Sequence, residues 1–185
     1  MALLGTRAAS EGSLGIRDDA IRDDLTVYNL AVRKFGPVSH LSIGPLSDAG
    51  LSECQAGRYA KSEPHARKAF QVAKQAFGPR GGIAGGTSYA LAFCLIGLNK
   101  LQEASELLQT IDVKAVTRLS GDFTVEASVA LAQGEIAARR GDYLLAQRYA
   151  QVAAPAFDRP NTRAYDRQSL EKLRMAMDEH LRASR

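Results

Sequence analysis

Apolar residues in this chain fall at helical spacing in short blocks, and turn residues separate the blocks. Ile21, Leu25, Tyr28, Leu30, Val32 and Phe35 form the first such block and predict a helix over about 16–35. Asp18, Asp19, Asp23 and Asp24 lie in its N-terminal half, where negative charge suits the helix dipole. Gly36-Pro37 then stops it, because Gly accepts a left-handed cap and Pro cannot continue a helix. Helices follow over about 45–56 and 59–77, joined by a tight Gly57-Arg58 turn, with Pro64 in the first turn or so of the second. Thr87 is the expected N-cap of a helix over 88–98, and Asn99-Lys100 turns the chain into a helix over 101–110. Residues 112–121 read as a less regular connection. Further helices are expected over about 123–140 and 143–157, with Gly141-Asp142 between them. A last helix over 163–182 carries Tyr165, Leu170, Leu173, Met177 and Leu181 on one side. Residues 1–16 are rich in Gly, Ala and Ser without a steady period and read as a flexible leader.

The blocks repeat. Tyr59, Leu101 and Tyr143 are 42 residues apart, as are Gly57, Asn99 and Gly141, and Ser62, Ala104 and Ala146. Gly50, Ala92 and Gly134 place a small residue seven positions before each turn, and Phe35-Gly36-Pro37 recurs as Phe77-Gly78-Pro79. A fixed period in this range predicts stacked helical repeats, here about 43–84, 85–126 and 127–168. The repeat domain then spans 17–185, with a terminal helix over about 163–183 polar enough to cover the stack.

Composition changes this picture little. The chain has 185 residues, no Trp and few aromatics, which favours helix over sheet. No apolar run reaches the ~20 residues that span a bilayer. The net charge is +4, but acids are interspersed with the bases and no basic stripe forms, so direct nucleic-acid binding is not expected. Cys54 and Cys94 sit in apolar helical stretches at non-equivalent repeat positions, and two buried free thiols are expected rather than a disulfide or metal site.

The small residues, turns and aromatics together resemble tetratricopeptide repeats. In that family a small residue at position 8, Gly at 15, an aromatic or Leu at 17 and Ala at 20 hold two antiparallel helices close. Here these are Gly50, Gly57, Tyr59 and Ser62, then Ala92, Asn99, Leu101 and Ala104, then Gly134, Gly141, Tyr143 and Ala146. Ser62 and Asn99 depart from the favoured residues, and position 4 is Leu46, Ser88 or Ala130 rather than an aromatic. The stretch Gly57 to Pro64, followed by Phe77-Gly78-Pro79, is similar to the 42-residue subtype of kinesin light chains and many bacterial signalling proteins. The segment from Arg140 to Gln168 is similar to repeat regions of bacterial regulators headed by a winged-helix or Ser/Thr kinase domain. The resemblance implies an all-α, right-handed α-solenoid of antiparallel helix pairs. About three repeats would follow an N-terminal half-repeat helix and precede a C-terminal capping helix.

Chemistry is sparse. The run from Gly78 to Thr87 has the G-x-x-x-x-G spacing of a phosphate loop but no Lys and no preceding strand, so a mobile inter-repeat linker is the expected state. His40, His65 and His180 pair with no Asp, Glu or Cys at metal spacing, and no nucleophile elbow occurs. No cofactor, metal or catalytic residue is expected, and the chain reads as a non-enzyme.

In the resembling fold the first helix of each pair lines a concave groove. Carried over residue by residue, this face is Ser47, Leu51 and Gln55, then Tyr89, Phe93 and Ile96, then Leu131, Glu135 and Arg139. Its middle is apolar and aromatic, as anchor-type recognition requires. The carboxylate clamp that some relatives use to grip a peptide C-terminus is not matched, with only Gln55 and Arg139 near it. The expected function is a non-catalytic interaction module of a bacterial signalling or regulatory protein, docking a partner helix or peptide. The alternatives are a self-associating scaffold that forms a homodimer and a ligand-sensing domain of a transcriptional regulator or kinase. The expected location is cytoplasmic, or else the extracytoplasmic part of a membrane-anchored regulator.

Overall fold

The structure is a computed structural model and describes residues 17–159, 162 and 164–183. The expected leader over 1–16 lies outside the described residues. The described residues form nine α-helices and no strand, as the all-α expectation requires. They are α1 (Arg17–Phe35), α2 (His40–Gln55), α3 (Tyr59–Phe77), α4 (Gly82–Gly97), α5 (Leu101–Gln109), α6 (Val113–Ser120), α7 (Val125–Arg139), α8 (Tyr143–Phe157) and α9 (Ala164–Ala183).

Local chemistry sets the helix ends. Asp18 and Asp19 open α1 while Arg33 and Lys34 close it, which complements its dipole at both ends. The Leu41 amide donates to Ser39 Oγ at 3.2 Å and caps α2. The helix therefore begins about a turn earlier than expected and carries Pro45 inside it. Pro64 also lies within α3, beyond the first turn.

The three intra-pair turns are copies of one motif. After α2 the Gly57 amide donates to Cys54 O and the Arg58 amide to Glu53 O. After α4 the pairs are Asn99 to Ile96 and Lys100 to Leu95, and after α7 they are Gly141 to Ala138 and Asp142 to Ala137. This closure places one residue in the left-handed region, at φ +79° for Gly57, +59° for Asn99 and +80° for Gly141. Asn tolerates that conformation better than other residues with a side chain, so the second repeat keeps the turn without Gly.

The fold divides into two compact units, Met1–Gly121 and Asp122–Arg185. In the first, α1 packs on α2, α2 on α3, α3 on α4, and α4 on α2, α5 and α6. Its core includes Ile43, Leu46, Ala69, Ala73 and Ala84. A Cβ on Gly50 would stand 3.2 Å from Ala66 N, so the small residue at this position lets α2 and α3 come together. In the second, α7 packs on α8 and α9 on both, around Leu131, Ala146, Ala150, Phe157, Leu170 and Leu173.

Four expectations are corrected. The Gly-rich stretch is helix rather than linker from Gly82 onward, where α4 begins, and only 78–81 remain a turn. A Cβ at Gly82 would meet Ala115 O at 2.7 Å and one at Gly85 would meet Val116 Cγ2 at 2.5 Å, so these glycines let α6 lie against α4. Thr87 is consequently no N-cap, and its hydroxyl lies inside α4, 3.0 Å from Ala84 O and 3.1 Å from Ile83 O. The irregular connection contains the short helix α6, capped by Asp112 Oδ1 accepting from the Ala115 amide at 2.9 Å and ended by Gly121 at φ +69°. Finally, Cys54 and Cys94 are not free thiols: they form a disulfide with Cα atoms 5.3 Å apart. Non-equivalent repeat positions do not prevent this, because α2 and α4 pack directly on each other.

Candidate functional site

The candidate groove residues divide between the two units. Ser47, Leu51 and Gln55 recur every fourth residue along α2, and Tyr89, Phe93 and Ile96 follow nearly the same spacing on α4. All six belong to Met1–Gly121. Leu131, Glu135 and Arg139 are on α7 in Asp122–Arg185.

Burial sorts them further. Ser47, Ile96 and Leu131 are buried and fill the interior. Leu51, Gln55, Tyr89 and Phe93 are half-buried and present part of their surface. The Tyr89 and Phe93 rings stand 6.5 Å apart at 41°, a tilted pair on successive turns of α4. On α7, Glu135 and Arg139 join in an ion pair at 2.6 Å. The half-buried candidates are thus carried by α2 and α4, and α7 offers a charged pair.

Several contacts around this face were not anticipated. The Cys54–Cys94 bond ties α2 to α4, and it adjoins Gln55 on one helix and Phe93 on the other. Behind it, Glu53 is fully buried, yet His65 Nδ1 lies 3.1 Å from Oε2 and Lys61 Nζ lies 3.2 Å from Oε1. A carboxylate can be buried only with such partners. The sequence signal was the antiparallel register: Gly50 meets Ala66 and Cys54 meets Ser62, which puts 53 opposite 61 and 65. At the outer edge Arg67 joins Glu63 and Glu103, each at 2.7 Å, and Lys100 joins Glu63 at 2.8 Å. Hydrogen bonds from Lys100 and Arg67 hold the Glu63 carboxyl below its ordinary range. On α1, burial first, then Asp48 and Asp23, pushes Asp24 up to about 7.

A concavity of about 330 Å³ lies within Asp122–Arg185, lined by Tyr143, Leu144, Gln147, Met177, His180 and Leu181 among others. Its lining includes the Tyr143 and His180 rings, stacked at 3.9 Å. Among the described residues no group of three or more His, Cys, Asp or Glu could hold a metal ion. No described helix is long and apolar enough to cross a membrane.

A family model described as tetratricopeptide repeat matches residues 42–111. The match covers α2 to α5 and hence the tilted Tyr89–Phe93 pair, the buried Glu53 and the disulfide. No curated protein matches the chain.

Proposed function

We propose that the chain, whose residues 42–111 match the tetratricopeptide repeat model, is a non-catalytic interaction module that docks a partner helix or peptide on the face of α2 and α4. The observation that carries this reading is the half-buried Tyr89–Phe93 pair on α4, a helix that the disulfide ties to α2, where Leu51 and Gln55 are also half-buried. Aromatic anchors bounded by a few polar groups are how such faces gain affinity and orientation. The 42-residue period accords with a signalling or regulatory setting of the kind found in bacteria. The disulfide favours an oxidising compartment, and so the extracytoplasmic alternative over the cytoplasm.

The test is capture of partners from a native lysate by the wild-type chain and by its Phe93→Glu variant, with helix content checked by circular dichroism. A partner retained by the first and lost at least about 30-fold by the folded second is the expected outcome. Equal capture would remove this face from recognition.

A specific observation favours a second reading, self-association through α9. Extending the repeat register places Ala176 and Glu179 of α9 where Gly50 and Glu53, Ala92 and Leu95, and Gly134 and Ala137 stand in the earlier pairs. The earlier residues are buried, whereas Ala176 and Glu179 are exposed, as are Met175 and Leu181. A helix of a second copy would cover that face. A molecular mass independent of concentration would eliminate this reading.

A further inference from the structure

The disulfide joins the first helices of two successive repeats at the point where the recognition face is built. Leu51 lies one turn before Cys54 and Gln55 follows it; Tyr89 lies a little over a turn before Cys94, and Phe93 immediately precedes it. Any change in the separation of Cys54 and Cys94 therefore moves both walls of that face. Neither cysteine exposes any surface. Redox sensors have the opposite character, with a solvent-accessible thiol poised for attack.

The surroundings of the sulfurs are specialised as well. Position 20 of the repeat is a fully buried Ala104 or Ala146 in the second and third repeats, but Ser62 in the first. Ser62 Oγ donates to Gly50 O at 2.5 Å and lies 3.1 Å from Cys54 Sγ and 3.5 Å from Cys94 Sγ. Its one proton is committed to the carbonyl, so its lone pairs face the sulfurs. Before oxidation the Cys54 thiol has an acceptor in Ser62 Oγ; after oxidation no S–H remains to satisfy, and Ser62 keeps its bond to Gly50. The buried polar groups are thus satisfied in both states.

We propose that Cys54–Cys94 is a sequestered covalent lock that fixes the spacing of α2 and α4 and is closed to reductants once the chain has folded. Closure proceeds by exchange with a small-molecule disulfide such as oxidised glutathione while the helices are still open. The Cys54 thiolate attacks one glutathione sulfur, forms a mixed disulfide and releases one glutathione. The Cys94 thiolate then attacks Cys54 Sγ, forms the protein disulfide and releases the second. Two protein thiols lose two electrons and two protons, and one oxidised glutathione becomes two reduced ones. The consequence for binding rests on the recognition face proposed above, whereas the lock itself is measured without any partner.

The experiment has three readouts on the full chain. Wild-type protein is unfolded without reductant, treated with N-ethylmaleimide and weighed: no adduct is expected, and two adducts would overturn the proposal. The folded protein is then incubated with dithiothreitol, and adduct formation is timed with and without denaturant. Reduction at least ~100-fold slower in the folded state is expected, since it must await opening, and equal rates would show an accessible exchange site instead. Lastly, hydrogen exchange of the Cys54→Ala/Cys94→Ala variant should be at least ~10-fold faster over 47–55 and 89–97 and unchanged over 125–157. Unchanged exchange over the first two segments would deny the bond its positioning role. If the variant does not fold, the same exchange comparison on wild-type protein before and after reduction decides the point. A lock that passes all three while Phe93→Glu still captures its partner would leave the lock standing and the recognition face refuted.

Discussion

In the unit ending at Gly121, positions 11 and 12 of the first repeat are Glu53 and Cys54, a buried carboxylate against His65 and Lys61 and half of a disulfide. In Asp122–Arg185 the same positions are Ala137 and Ala138, which belong to an apolar cluster with Ala146, Phe157 and Leu170. Both units close their helix pairs with the same turn. The backbone motif therefore specifies a helix pair, and the side chains at two positions decide how firmly that pair is tied to its neighbour. A face that must hold its shape while a partner docks gains from the firmer version, because preorganisation lowers the ordering cost of binding.

That contrast can be broken most strongly at the disulfide. The bond closes a loop with a sequence separation of 40 residues. Its loss in the Cys54→Ala/Cys94→Ala variant is expected to destabilise the first unit by about 4 kcal/mol on the chain-entropy estimate. Denaturant unfolding followed by hydrogen exchange in each unit should show the loss in 17–121 and not in 125–157.

A smaller effect comes from glycines at helix contacts. A Cβ on Gly97 would fall 2.2 Å from the Tyr59 ring, which can yield only by leaving its seam. Gly97→Ala should cost about 1–3 kcal/mol by overpacking. Gly134→Ala in the second unit would meet Leu173 Cδ2 at 2.8 Å, the end of a flexible side chain, and should cost less. Thermal melts of the two variants test the order, and equal losses would remove the distinction.

Asp24 sharpens the comparison through pH. Its carboxyl is raised from 3.8 to about 7 by burial and by Asp48 and Asp23. The folded chain therefore holds this proton more tightly than the unfolded chain, and stability falls as pH rises from about 4 to about 7. Asp24→Asn should flatten that slope and add on the order of 1 kcal/mol at pH 8. Urea midpoints across this range measure it, and an unchanged slope would exclude Asp24 as its source. Smallest of all, Arg67→Ala breaks half-exposed ion pairs to Glu63 and Glu103 and should cost about 0.2–1 kcal/mol, less at high salt.

Much of the architecture was legible because it is written locally. The turn residues Gly57, Asn99 and Gly141 reveal the left-handed caps, and the 143–157 helix was read to the residue because Asp142 and Asp158 bound it. The glycine-rich start of α4 was misread because glycine disfavours helix in isolation, and only the close approach of α6 offsets that preference. The disulfide was hidden for a related reason: Cys54 and Cys94 differ in repeat position, and their meeting depends on how α2 and α4 pack. Among the candidate face residues, the sequence pattern found the half-buried Tyr89 and Phe93 but also took in Ile96 and Leu131, since periodicity assigns a side of a helix and not its exposure.

The central claim is that a partner docks on the tied face of α2 and α4. Residue-resolved hydrogen exchange of the chain with and without its captured partner tests it most directly. Slowed exchange over 47–55 and 89–97, with α7 and α9 unaffected, is the predicted result. Protection confined to 125–139 or 164–183 would contradict it.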